Sequence, residues 1–135
     1  MVITPWDGGT KLYEHALDVR GAIHETVAAN IANEETPGYR AIHLPFQDAL
    51  QAAVRGEGTL LPMKTHARHL PLILESDRPF LQVRQPLTGG GPDENTVNLE
   101  EEMTRMAENN LLYMAVAQFI AGRFDGWRSA IREGR

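Results

Sequence analysis

Apolar residues recur at spacings of four and three near both ends of this chain. In the N-terminal part, Leu12, Ala16, Val19, Ile23, Thr26, Asn30 and Asn33 keep that alternation. Positions three and four apart share one face of a helix, so the pattern predicts a helix over residues 10–33. The seam weakens toward its end, where Thr26 and Asn30 are polar, and Leu17, Val27 and Ile31 lie on neighbouring faces. The C-terminal pattern is stronger. Leu99, Met103, Met106, Asn110, Tyr113, Ala117, Ile120, Phe124, Trp127 and Ile131 alternate without a break. They predict a helix over residues 99–132, about 50 Å long. Asn98 is placed to cap its start, with Glu101 three residues on as in a capping box. Glu100, Glu101 and Glu102 meet the positive end of the helix dipole, and Arg128 and Arg132 meet the negative end.

Two such seams predict a mainly α fold. Long N- and C-terminal helices pair as a coiled coil, most simply antiparallel, and the middle loops between them. The alternative is two unrelated amphipathic helices, each covering a globular core. The middle is short and broken for that purpose. Residues 1–9, with Pro5 and Gly8-Gly9, read as a flexible N-terminus, and 34–98 as a turn followed by a loop-rich stretch. Within that stretch Phe46–Val54 can form a short helix after Pro45. Leu70–Leu74 and Phe80–Val83 read as two short strands about Ser76-Asp77-Arg78-Pro79, a small β-hairpin. Thr88–Asn95 reads as a linker. The whole reads as one domain, 1–135.

Between the first helix and the middle stands Thr36-Pro37-Gly38-Tyr39. Proline fixes φ for position i+1 of a tight turn, and glycine accepts the positive φ of a type II turn at i+2. Proline also moves Thr36 away from helical geometry, so the helix ends before it.

Composition narrows the function classes. A length of 135 residues suits one domain. Lys and Arg number 13 against 18 Asp and Glu, a net charge of −5, which gives nucleic-acid binding no electrostatic support. No apolar stretch approaches the roughly 18–20 residues of a membrane-spanning helix. The start, M-V-I-T-P-W-D-G-G, has no basic and apolar leader pattern, so no cleaved signal is expected. There are no cysteines, which excludes disulfides, thiolate nucleophiles and cysteine-bound metals.

Candidate chemistry is sparse. His66 and His69 form an H-x-x-H pair, but Arg68 lies between them and a third ligand is not evident, so surface or packing roles are the better reading. Gly89-Gly90-Gly91 is followed by Pro92-Asp93-Glu94, where a phosphate loop needs Gly-Lys-Ser/Thr. Consecutive Glu100, Glu101 and Glu102 point in different directions on a helix, so they do not converge on a substrate. The sequence therefore indicates no enzyme, no cofactor and no metal. Gly122, Gly126 and Ala130 form a row of small residues that suits either close helix approach or a tolerant helix end. Leu111, Leu112, Ala115, Val116 and Phe119 add apolar surface beside the C-terminal seam. A two-helix hairpin leaves much of that surface wet, which points to a partner.

The segment A-N-I-A-N-E-E-T-P-G-Y-R, Ala29 to Arg40, resembles the N-I-A-N-x-x-T-P-G-Y signature of the flagellar axial proteins, the rod, hook and hook-associated family. Asn95–Tyr113 and, more weakly, Thr65–Leu70 also resemble a small rod protein of that family. The resemblance implies a structural subunit of the proximal rod of the bacterial flagellar basal body. Such subunits polymerise into a helical tube that transmits torque and encloses the export channel. It implies export by the flagellar type III apparatus without a cleaved signal, and a place in the periplasm. Implied partners are other copies of the chain, the rod proteins FlgC, FlgF and FlgG, the junction protein FliE and the MS-ring. Asn30, Ile31, Asn33, Thr36, Pro37, Gly38 and Tyr39 carry the signature and are the implied assembly residues. Identity with FlgC, a cytosolic coiled-coil adaptor, and a metal enzyme using His66 and His69 are the alternatives.

Overall fold

The fold is taken from a computed structural model, which describes residues 8–55, 85–87 and 94–133. Helix α1 runs Gly8–Ala32, α2 runs Phe46–Arg55 and α3 runs Leu99–Glu133. Strands β1, Ile42–His43, and β2, Gln85–Pro86, form a minimal antiparallel pair with Ile42 opposite Pro86. The two long helices stand where the periodicity puts them, and the short one follows Pro45 as expected. The expected hairpin of Leu70–Leu74 and Phe80–Val83 lies outside the described residues, as do His66, His69 and most of the N-terminal stretch 1–9. Gly8 and Gly9, expected in that N-terminus, open α1 instead.

Helices α1 and α3 pack antiparallel. Gly9 lies against Arg123, Tyr13 stacks on Phe119 with ring centroids 6.4 Å apart, Arg20 meets Asn109 and Asn30 meets Glu102. Residue numbers fall along one helix as they rise along the other. The start of α3 follows the cap prediction: the Glu101 N–H donates to Asn98 Oδ1 at 3.3 Å.

The long helices pair as the coiled-coil reading expects, and burial along the seams is uneven. On α1, Ala16, Val19, Thr26 and Asn30 are buried and Ile23 is half-buried, whereas Leu12 is exposed. Ala22 and Val27 are buried as well, because α1 also faces α2 and β1. Val19, Ala22, Leu44, Ala49 and Ala53 form that second core, with Ile23, Phe46 and Ala52 packed against it. On α3 the buried residues are Glu102 and Asn109. Met103, Asn110, Tyr113, Phe124 and Ile131 are exposed in the single chain; Leu99, Met106, Ala117, Ile120 and Trp127 are half-buried. The apolar residues of α3 spread around most of its circumference, so periodicity alone does not choose the inward face. The polar partners on α1, Asn30 and Arg20, choose it by hydrogen bonding.

Candidate functional site

The signature segment forms a polar junction where α1, the turn and the start of α3 meet. Its geometry begins with the end of α1. The Asn33 N–H donates to Asn30 O at 3.1 Å and the Glu34 N–H to Ile31 O at 3.2 Å, tightening the last turn. Asn33 Nδ2 donates to Ala29 O at 2.8 Å, and its Oδ1 accepts from Thr36 Oγ1 at 3.3 Å. The chain then reverses. The Tyr39 N–H donates to Thr36 O at 3.2 Å and Gly38 has φ 70°, the type II turn that Pro37-Gly38 predicts. Thr36, Pro37 and Gly38 are exposed, while Ile31 and Tyr39 are half-buried.

Asn30 is the centre of the junction, with a relative exposure of 0%. Its Nδ2 donates to Ile42 O at 2.8 Å and to Glu102 Oε2 at 3.1 Å. Its Oδ1 accepts from the Ile42 N–H at 2.9 Å and from the Tyr39 hydroxyl at 3.3 Å. An amide side chain has two donors and two acceptor positions, and here all four are used. Toward Ile42 the amide acts as a strand neighbour, pairing with both backbone groups of one residue. That burial is tolerable only because the bonds are complete.

Glu102 is 2% exposed. Its carboxylate accepts from Asn30 and, at 2.7 Å, from Arg105 Nη1, while Arg105 Nη2 reaches Glu101 at 2.6 Å. Dipole compensation alone therefore does not account for the Glu100–Glu102 run. Glu102 is an internal partner of α1.

A second asparagine closes the junction from the other side. Asn95 Nδ2 lies 3.0, 2.6 and 2.9 Å from the carbonyl oxygens of Asn33, Glu34 and Thr36. Two of these carbonyls also accept bonds within the turn, Asn33 O from the Thr36 N–H and Thr36 O from the Tyr39 N–H, so Asn95 clamps the turn from outside. Asn95 Oδ1 accepts from the Val97 N–H at 2.8 Å. Thr96 follows the same plan: its N–H donates to Tyr39 O at 3.0 Å and its hydroxyl accepts from the Ala41 N–H at 2.8 Å. Ala41 O accepts from the Leu87 N–H at 2.7 Å. Asn95 and Thr96, just before α3, thus fasten the end of α1 and the strand that leaves the turn.

Farther along the helix pair, Arg20 and Asn109 exchange bonds. Asn109 Nδ2 donates to Arg20 O at 2.9 Å and Arg20 Nη1 donates to Asn109 Oδ1 at 3.3 Å. Desolvation by burial lowers the Arg20 pKa from its usual value.

The structure gathers Asn30, Asn33, Thr36, Gly38 and Tyr39 into one network. Asn110, expected as a seam asparagine, stands exposed, and its neighbour Asn109 takes the inward place. Sequence reasoning missed Asn95, Thr96, Glu102, Arg20 and Asn109 as members. The signal for Asn95 was its place in N-T-V-N just before the helix cap. For Glu102 and Asn109 it was their spacing of seven, hidden by the stronger apolar series. Among the described residues no group of three or more His, Asp or Glu is placed to hold a metal. None of their helices is long and apolar enough to cross a membrane. The junction spends its polar groups on the chain itself, which is the arrangement of a fastening.

No protein-family model matches the chain. Curated relatives match it over nearly its whole length. It is similar to the flagellar basal body rod protein FlgB of Aeromonas hydrophila, at 33% identity over 94% of this chain and 95% of the relative. The same is true of that protein from Escherichia coli K12, at 31% identity over 95% and 96%. The Bacillus subtilis protein is 27% identical over 96% and 98%.

Proposed function

The chain belongs to the FlgB family of flagellar basal body rod proteins, and on that premise we propose that it is a structural subunit of the proximal rod. In this reading it polymerises into a helical tube in the periplasm. The tube transmits torque and encloses the export channel. The chain reaches that place through the flagellar type III apparatus, without signal cleavage, and its work is assembly, not catalysis. Its neighbours are further copies, the other rod proteins FlgC, FlgF and FlgG, the junction protein FliE and the MS-ring.

The observation that carries the reading is the apolar surface that α3 leaves exposed. Met103 at 59%, Leu111 at 65% and Ile131 at 72% exposure belong to it, with Met114 and Phe124 also exposed. An apolar face of this extent on a paired helix calls for protein contact. Repeated head-to-tail, such a contact builds an open helical filament. The junction supports the reading from the other side. It holds α1 and α3 in one register and presents Thr36, Pro37 and Gly38 at the surface as a rigid contact. The signature residues Asn30, Ile31, Asn33, Thr36, Pro37, Gly38 and Tyr39 thereby shape a subunit interface.

The test is mass spectrometry of detergent-extracted basal bodies beside a deletion strain. The expected result is that the chain co-purifies with the rod and its loss stops rod assembly. A chain absent from basal bodies, in a strain that swims without it, would instead favour a cytosolic adaptor.

A further inference from the structure

Helix α3 outruns its partner. The pairing with α1 reaches Gly9 against Arg123, and α1 begins at Gly8. Residues 124–133 of α3 therefore stand past the described start of α1, an overhang of about 15 Å. The apolar seam does not stop where α1 stops. Phe124, Trp127 and Ile131 continue the four-three spacing of Tyr113, Ala117 and Ile120. Phe124 is 45% exposed and Ile131 72%. Trp127 is half-buried, with the Phe124 ring edge-on at 5.3 Å and the Arg123 guanidinium carbon 5.5 Å from its ring centroid. The overhang thus extends an established helix interface beyond the helix that fills it.

The two ends of the helix pair also differ in charge. On the overhang Arg128 and Arg132 are exposed. Asp125 lies 3.9 Å from Arg128, but both side chains stand mostly in water, where such a pair is weak. At the opposite end the exposed charges are Glu34, Glu35, Glu94 and Glu100, against Arg40. The bonds from Asn95 to the turn carbonyls bring Glu94 beside the turn. That end also exposes Ala32 and Pro37, two small apolar residues. Asn30 meets Glu102, and Ile131 is about 40 Å farther along α3, so no chain can bring its own two ends together.

We propose that the overhang of one copy seats on the turn end of a second copy, with Phe124 and Ile131 against Ala32 and Pro37 and with Arg128 and Arg132 facing Glu34 and Glu35. The end of the second copy's α1 then stands in line with the start of the first copy's α1, and α3 spans the joint. The inference rests on the assembly reading and gives its head-to-tail contact residues and a sign. The contact uses different patches on the two copies, so it leaves one of each free and propagates. Opposite charge sets the polarity of the joint, because two overhangs or two turn ends repel.

Two measurements on the full chain test it. The chain has no cysteine, so Thr36→Cys and Ile131→Cys made together supply its sole thiols. The purified variant is treated with bis(maleimido)ethane, a linker far shorter than the span between the two sites, and the linked peptides are mapped by mass spectrometry. The expected result is a ladder of dimers, trimers and longer species joined 36 to 131, falling several-fold between about 50 mM and about 500 mM sodium chloride. Thr36→Cys with Gln118→Cys, at mid-helix, is expected to link several-fold less. Links of 131 to 131 or 36 to 36 alone overturn the proposal, as does a 36-to-131 yield no higher than that of the Gln118 pair or indifferent to salt. In the second measurement, Glu34→Arg with Glu35→Arg, and separately Arg128→Glu with Arg132→Glu, are each expected to cut incorporation into basal bodies several-fold. All four together are expected to restore it, which a folding defect does not allow. Parent-level incorporation of either pair, or no restoration by the four, overturns the proposal. The parent's own incorporation is the control for the assembly reading, and the linking measurement needs no basal body, so the two readings fail separately.

Discussion

Replacing Asn30 with aspartate changes one NH2 group to oxygen at the most enclosed point of the junction. The new oxygen stands where Nδ2 now lies 3.1 Å from Glu102 Oε2 and 2.8 Å from Ile42 O. Two attractive contacts become repulsive. At an effective dielectric constant of about 20, two unit charges about 4 Å apart repel by about 4 kcal/mol. Arg105, 2.7 Å from the other Glu102 oxygen, offsets part of this. The lost bond to Ile42 adds about 1 kcal/mol. Asn30→Asp should therefore cost about 3–5 kcal/mol at neutral pH, a large share of the ~5–15 kcal/mol that holds a typical domain.

The pH dependence carries the sign. A neighbouring carboxylate raises the folded-state pKa of the introduced carboxyl above its ordinary value of about 4. The stability held by its protonated form is present below the unfolded pKa and is lost as pH rises through the folded pKa. The deficit should thus be small near about pH 4 and full at about pH 7.5. Urea unfolding followed by far-UV circular dichroism, parent beside variant at both pH values, reads it. Adding Glu102→Gln gives the new carboxylate an amide donor at the same place. It should recover the charge-repulsion share and flatten the pH dependence. A deficit equal at both pH values, or one that Glu102→Gln leaves untouched, would refute the buried contact between Asn30 and Glu102.

Asn95→Ala removes the donor shared by the carbonyls of Asn33, Glu34 and Thr36, and should cost about 1–3 kcal/mol. Hydrogen exchange should quicken selectively at the amides of residues 33–41. Gly38→Val forces a branched side chain into φ 70° and should lower stability by about 1–2 kcal/mol. We expect it to impair incorporation into basal bodies more than export, judged by immunoblots of both fractions. Asn110→Leu, at an exposed site, should shift the urea midpoint by no more than about 0.5 kcal/mol equivalent. Asn109→Leu breaks both bonds to Arg20 and should cost several-fold more in the same assay.

The helices and the turn were legible because local rules decide them. Four-three spacing set α1 and α3 to within a few residues, the stretch after Pro45 set α2, and Pro37-Gly38 set the reversal. The face that α3 turns inward was legible only in part: the seam residues Leu99, Met106, Ala117, Ile120 and Trp127 are half-buried, but the buried Glu102 and Asn109 were missed. Its apolar side chains lie nearly all round, so Glu102 and Asn109 win the contact through bonds to Asn30 and Arg20, which no periodicity encodes. Asn30 read as a polar flaw in a seam, yet it is the residue that lets α1 pair with the backbone of Ile42. Asn95 was hidden because a carbonyl clamp depends on where the chain returns, some sixty positions after the carbonyls it holds.

Every bond between α1 and the start of α3 joins distant parts of the sequence. Asn30 and Glu102 are 72 positions apart, and Arg20 and Asn109 are 89 apart. Closing a loop of the first span costs about 4 kcal/mol of chain entropy, beyond a constant term, before any of these bonds forms. The logarithm behind that figure is flat: doubling the intervening chain adds only about 0.6 kcal/mol. Insertions or deletions between Arg55 and Gln85, outside the residues that make these bonds, are thus nearly neutral for the fastening itself. The two ends can stay locked to one another while the stretch between them is lengthened, shortened or reshaped for new neighbours.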